Sequence, residues 1–105
     1  MIVRSRIESN GTMVLTVVGD SLTSPHAAEF RDRADQAILA SAGLVEVDCS
    51  QLEFIDSSGV GAFLHLIRLL PEHRRPVRLT GVGKKVLANL ELMCVHRIFE
   101  VEPRK

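Results

Sequence analysis

The first residues of the chain show the hydrophobic pattern of an antiparallel hairpin. Residues 3–7 alternate apolar and polar side chains, as in a strand with one exposed face. Residues 13–18 are apolar on both faces, which is typical of a central strand. Asn10-Gly11 lies between them and predicts a type I′ turn, in which both central residues have positive φ.

The rest of the pattern predicts alternating helices and strands. Ser24 is the expected N-cap of a first helix, with Pro25 at its first position and Gly43 marking its end. Strands are predicted over 44–49, 77–82 and 98–101, and helices over 57–70 and from 84 onward. The strands over 44–49 and 77–82 should be parallel because a helix connects them, and the last strand should lie at an edge. The order β-β-α-β-α-β-α-β indicates an α/β domain, with a mixed sheet and helices packed against it.

The turn before the second helix concentrates polar side chains. It reads Phe-Ile-Asp-Ser-Ser-Gly-Val-Gly over residues 54–61. Asp56, Ser57 and Ser58 are all good helix N-caps. Gly59 and Gly61 should keep the surface beside the serines low enough for another molecule to approach the backbone. The turn is therefore either a well-capped helix start without further function or a binding site at the C-terminal end of a strand.

The second helix is apolar nearly all round. One apolar stripe consists of Val60, Phe63, Leu64, Ile67 and Leu70, and Ala62, Leu66 and Leu69 form much of a second one. Such a helix is normally buried. In a domain this small, the second stripe could instead face a partner protein, and Leu66 and Leu69 are then the outward residues.

Length, charge and cysteine usage narrow the class of protein. The 105 residues suit one domain, 1–105, with a single core. Lys plus Arg and Asp plus Glu both total 13, which argues against a nucleic-acid partner. The longest apolar run, 60–70, is too short to span a bilayer, and the N-terminus has no signal-peptide pattern, so we expect a cytoplasmic protein without a membrane partner. Cys49 and Cys94 are expected to be small buried hydrophobes, and neither a disulfide nor a metal site is expected.

The chain shows no pattern of an enzyme. No Gly-x-Ser-x-Gly elbow surrounds Ser57 and Ser58, and no Gly-x-x-x-x-Gly-Lys-Ser/Thr phosphate loop is present. The four histidines show no grouping along the chain; they are His26, His65, His73 and His96. We therefore expect a binding protein without catalytic residues or a cofactor of its own.

The segment Leu-Glu-Phe-Ile-Asp-Ser-Ser-Gly-Val over residues 52–60 resembles the signature of the STAS family, in particular of bacterial anti-sigma-factor antagonists. The predicted order of elements also resembles that family over essentially the whole chain. The resemblance implies that Ser57, the first serine after Asp56, is phosphorylated by a kinase that is also the anti-sigma factor and that binds the ATP. The unphosphorylated form would bind this partner and release a sigma factor, and a phosphatase would restore it.

One loop departs from the antagonist pattern Gly-Asp/Glu-Leu-Asp. Here Gly19-Asp20 is followed by Ser-Leu-Thr-Ser, so the second carboxylate is missing or displaced. We expect a partner to contact this loop, the central turn and the second helix, through Asp20, Thr23, Ser24, Asp56, Ser57, Ser58, Gly59, Leu66 and Leu69. The alternative is a constitutive STAS interaction subunit of a lipid-transport, transporter or stress-signalling complex, without a phosphorylation switch.

Overall fold

The computed structural model describes residues 2–104. Seven strands and three α-helices follow one another along the chain. The strands are β1 (Val3–Ile7), β2 (Met13–Val17), β3 (Ser21–Leu22), β4 (Val45–Asp48), β5 (Phe54–Ile55), β6 (Arg78–Val82) and β7 (Glu100–Pro103). The helices are α1 (Ser24–Leu39), α2 (Ser57–Leu69) and α3 (Lys84–Leu92), with a short 3-10 helix at Glu72–Arg74.

Five strands form the main sheet in the order β1-β2-β4-β6-β7. Only the β1–β2 pair is antiparallel, and β4 and β6 pair in parallel as expected. β7 lies at an edge, also as expected, but it runs from Glu100 to Pro103, two residues later than the predicted strand. The mixed sheet with packed helices is thus confirmed, and β3 and β5 add a separate two-stranded parallel pair that the sequence pattern did not predict.

The hairpin is present, but its turn is not type I′. Gly11 has a φ of 89°, and Asn10 does not have a positive φ. The Gly11 amide donates to the Glu8 carbonyl over 2.9 Å, and Glu8 N–H donates to Thr12 over 2.8 Å. The loop is therefore longer than two residues, and a single left-handed glycine turns the chain.

Both predicted ends of α1 are displaced. Thr23 is the N-cap, so Ser24 is already helical, and the helix ends at Leu39 with Ala40 as its C-cap. Gly43 has another role, because a Cβ there would clash with the backbone of Gly11. The buried Arg74 donates to the Gly43 carbonyl over 2.6 Å, which fixes the segment that leads into β4.

The core lies on one face of the sheet. Phe63 of α2 is its centre, with its ring 5.5 Å from Phe30 and 6.3 Å from Phe99, both in edge-to-face geometry. The opposite face of the sheet is mostly polar. There Arg78 lies within 4.0 Å of three carboxylates, those of Glu46, Glu100 and Glu102. The sheet therefore has one helix-covered face and one open face.

The two cysteines differ in environment. Cys49 is buried as expected, and burial raises the pKa of its thiol to about 12. Cys94 is exposed, so the expectation that it is buried is wrong. It has a φ of 58°, and the amides of Cys94 and Val95 donate to carbonyls of the last turn of α3 over 3.0 Å. This is a Schellman-type helix end, which places the residue after the C-cap at the surface.

We expect a thiol reagent to label only Cys94 in the native protein. The Cys49 thiol is enclosed by the core, and burial raises its pKa, which lowers the fraction of reactive thiolate further. Mass spectrometry after brief labelling should show one modified thiol, and a second only after denaturation. Rapid labelling of Cys49 in the folded protein would contradict the packing described above, and Cys94→Ser provides the control.

Candidate functional site

The pair β3–β5 joins the two segments in which sequence analysis located candidate residues. Ser21 pairs with Phe54 and Leu22 with Ile55. The Asp20 carbonyl accepts hydrogen bonds from the amides of Glu53 and Phe54, over 2.8 and 3.0 Å. The loop after β2 and the turn before α2 therefore form one surface at the C-terminal end of the parallel strands.

Asp56 is the N-cap of α2, and its carboxylate also reaches α1. Oδ1 accepts from the Gly59 amide over 3.0 Å, and Oδ2 accepts from the Ser24 amide over 3.3 Å. Both donors belong to first helical turns, where amides have no partner within the helix. One side chain thus caps two helices, and it neutralises the positive dipole ends of both.

The two serines after Asp56 differ in exposure. Ser57, the first residue of α2, is exposed, whereas Ser58 is half-buried. Neither serine hydroxyl makes a hydrogen bond within residues 2–104, and the same holds for their backbone amides. Ser57 therefore presents a free hydroxyl at a helix N-terminus with two free amide donors beside it.

Gly59 has a different role from the one expected. It is buried, and a Cβ there would lie 2.6 Å from Cγ1 of Ile55 and would clash with the Leu22 carbonyl oxygen. The missing side chain of Gly59 thus allows strand β3 of the same chain to pack against α2, and it leaves no surface for a partner. Gly61 has open space around its Cα and fits the expected low surface.

The candidate residues of the loop between β2 and α1 lie near Asp56, because its carboxylate contacts the start of α1. Thr23 caps α1 and is half-buried, while Ser24 and Asp20 are exposed. Oγ1 of Thr23 lies 3.3 Å from Nδ1 of His26. The exposed residues Asp20, Ser24 and Ser57 therefore belong to one surface, which the β3–β5 pair and Asp56 hold together.

Three side chains that sequence reasoning missed support this surface. Asn89 of α3 donates to the Ile55 carbonyl over 2.9 Å, and Gln51 accepts from the Gly19 amide over 3.2 Å. Arg104 contacts Glu53 over 2.7 Å and donates to the Leu52 carbonyl over 3.0 Å. Each contact joins residues more than thirty positions apart, so no local pattern could have indicated it.

The second stripe of α2 is only partly available to a partner. Leu66 is 0% exposed and belongs to the core, so its assignment as an outward residue is wrong. The physical reason is that α1 packs over this side of α2, where Asp35 contacts His65 over 2.7 Å. Leu69 is 41% exposed and stays a candidate contact, as does Phe54 at 49% beside the turn. No helix within residues 2–104 has the length and apolarity needed to cross a bilayer.

The described part of the chain has no cluster of three or more His, Cys, Asp or Glu side chains with metal-binding geometry. The chemistry of this surface is instead that of an exposed hydroxyl, free amides and a capped carboxylate on a fixed backbone.

Comparison with known proteins identifies the family of this α/β domain. The model of the family described as "Mlab, STAS domain" matches residues 6–100. The chain belongs to the STAS-domain family. No curated protein matches it at a significant level.

Solved structures with the same fold include anti-sigma-factor antagonists. The chain is similar to one from Mycobacterium paratuberculosis, with a TM-score of 0.82 and 17% identity over 96% of this chain and 86% of that one. It is similar to the antagonist SpoIIAA in its unphosphorylated form, with a TM-score of 0.66 and 20% identity over 86% and 82% of the two chains. For the phosphorylated Bacillus SpoIIAA the TM-score is 0.68, with 18% identity over 94% and 89%.

The glycines of α2 provide a matched test of the β3–α2 contact. Gly59→Ala should destabilise the domain by about 1–3 kcal/mol, because the new methyl group meets backbone that cannot move independently. Gly61→Ala should be neutral or stabilise the domain by up to about 1 kcal/mol. Alanine has a higher helix propensity than glycine, and the space around Gly61 is open. Denaturant unfolding of both variants measures the difference. Equal stabilities would show that β3 does not lie against α2 as described.

The leucines of α2 test its two faces. Leu66→Glu should cost several kcal/mol of stability, because it buries a carboxylate in a core position. Leu69→Glu should change stability by roughly 0.5 kcal/mol or less, because that side chain already reaches water. Thermal unfolding distinguishes them, and a stable Leu66→Glu variant would refute its place in the core.

Proposed function

We propose that this domain is an anti-sigma-factor antagonist. Its unphosphorylated form binds an anti-sigma factor with serine kinase activity and releases the sigma factor, and phosphorylation of Ser57 ends that binding. The kinase partner carries the ATP, and a separate phosphatase removes the phosphate. The observation that carries the proposal is the exposed Ser57 hydroxyl at the start of α2, on a turn that Asp56 holds in place.

The exposure of the two serines supports Ser57 as the phosphate acceptor. A kinase must bring the hydroxyl into line with a nucleotide phosphate, which needs free space around the oxygen. Ser57 has that space, whereas Ser58 is half-buried in the first turn of α2. The resemblance of residues 52–60 to the antagonist signature supports the same residue.

The local electrostatics favour a switch that leaves the fold intact. A phosphate adds up to about two negative charges. At Ser57 it would lie at the dipole end of α2, where the free amides of Ser57 and Ser58 can donate to it. The Asp56 carboxylate already uses its two amide donors, so the phosphate would add to its charge at the surface. A partner would have to desolvate the phosphate charge as well as that of Asp56, which can cost about a hundredfold in affinity.

Mass spectrometry of the intact protein after incubation with a candidate kinase and ATP tests the proposal. The wild-type protein and Ser58→Ala should gain one phosphate, and Ser57→Ala should gain none. Ser57→Ala should also keep its stability within about 0.5 kcal/mol, because Asp56 and not Ser57 caps the helix. The unphosphorylated protein should bind the kinase, and the phosphorylated protein should bind it about a hundredfold less tightly.

Two outcomes would refute the switch. One is phosphorylation of Ser57→Ala at Ser58, and the other is equal affinity of the phosphorylated and unmodified proteins for the kinase. Leu69→Glu should weaken kinase binding and therefore slow phosphorylation of Ser57, whereas Leu92→Glu on α3, a matched control at another exposed leucine, should change neither.

A second candidate is a constitutive STAS interaction subunit that is not phosphorylated. Two observations favour it: the matching family model is described as an Mlab STAS domain, and the loop at Gly19-Asp20 lacks the second carboxylate of the antagonist pattern. In that case Ser57→Ala and Ser57→Asp should both retain partner binding, and no kinase should modify the protein.

A further inference from the structure

We propose that the free edge of β1 binds an extended acidic segment of a partner protein as an added strand of the sheet. Alternate residues of that segment would be acidic and apolar. The surface is built from β1 and α1 and shares no residue with the turn at Ser57, so the inference does not depend on the proposed function.

The register of the β1–β2 pair shows which backbone groups of β1 are unpaired. Val18 N–H donates to the Ile2 carbonyl and Glu8 N–H donates to the Thr12 carbonyl, each over 2.8 Å. Bonded residues in an antiparallel pair recur at every second position. The even-numbered residues between these two bonds therefore also face β2.

The odd-numbered residues of β1 consequently direct their backbone groups away from the sheet. Val3, Ser5 and Ile7 offer three N–H and three C=O groups along a strand of five residues. β1 is the first strand in the sheet order, so no other strand covers this edge. A row of unpaired groups of this length is a template for strand addition.

A groove of about 700 Å³ lies along the same edge, between β1 and α1. Its apolar lining comes from Val3, Ile7, Met13, Leu15, Ala37 and Ala40. Its polar lining comes from Arg33 and Gln36 of α1 and from Arg4, Ser5 and Arg6 of β1. An added strand would place every second side chain in this groove, and apolar side chains fit the lining.

The other side chains of an added strand would lie beside two arginines. Arg4 and Arg6 point to the opposite face from Val3 and Ser5, because side chains alternate along a strand. Arg6 has only a 3.7 Å contact with the exposed Glu8, and Arg4 has no ion pair within residues 2–104. Acidic side chains on the added strand would lie across from both, which stabilises cross-strand pairs.

The second edge of the sheet and a second copy of the chain fit less well. At β7, Glu100 and Glu102 already contact Arg78, and Pro103 has no N–H to donate. Such an edge offers fewer donors and less free charge for strand addition. Two β1 edges paired with each other would place arginines against arginines, which is destabilising. Charge complementarity therefore favours a partner segment that carries carboxylates.

A short capped peptide of alternating valine and glutamate tests the proposal, with a valine–lysine peptide as the control. Fluorescence anisotropy of the labelled peptides should show binding of the glutamate peptide only. Hydrogen exchange of the protein amides, followed by NMR, should show new protection at Val3, Ser5 and Ile7, because these are the unpaired donors. The test needs no variant to fold.

Variants then locate the binding surface. Arg4→Glu should weaken the valine–glutamate peptide about tenfold by reversing one cross-strand charge pair. Arg31→Glu, the same change at an exposed α1 position outside the groove lining, should leave the affinity unchanged. Ser5→Pro should abolish binding, because it removes a donor that β2 does not use.

Four results would overturn the proposal. They are equal binding of the two peptides, equal effects of Arg4→Glu and Arg31→Glu, protection confined to amides outside β1, and a dimer in sedimentation that Ser5→Pro dissociates. The last result would assign the edge to a second copy of the chain.

Discussion

The Asp56 carboxylate holds the N-termini of the two longer helices at one point. It accepts one amide hydrogen bond from each helix, through Gly59 and Ser24. Since each helix follows a strand of the β3–β5 pair, this contact also fixes two loops relative to each other. Amides in the first turn of a helix have no internal partner, so a side chain that satisfies one in each helix stabilises both. The candidate functional surface depends on this arrangement more than on any property of the serines themselves.

The turn that carries Ser57 is supported from two sides. Gly59 lets β3 pack directly on α2, and Asn89 holds the backbone of β5 from the other side. A phosphate added at Ser57 would thus meet a fixed backbone with free amides, and its charge would act on the partner.

The long elements could be predicted from the sequence, and the contacts between them could not. Hydrophobic periodicity identified the hairpin, the parallel strands and the helices, because their burial repeats along the chain. The strands β3 and β5 have two residues each, too few to show a period. Thr23 and Ser24 are both good N-cap residues. The helix begins after Thr23 because the Asp56 carboxylate accepts a hydrogen bond from the Ser24 amide, which is then the first amide of the helix. Leu66 lies on a helix that is apolar all round, so only the packing of α1 shows which stripe is inside.

The positive and negative charges of the chain balance in number but are unevenly distributed over its surface. Positive and negative residues total 13 each, which excludes a strongly basic protein but says nothing about where the charges lie. Arginines dominate the β1 edge, whereas the carboxylates of Asp20 and Asp56 lie on the surface that also carries Ser57. The electrostatic potential near such groups depends on their immediate neighbours, because water and salt screen charges that are more than about 10 Å away. One small domain can therefore offer two chemically different binding surfaces, and neither of them follows from its net charge.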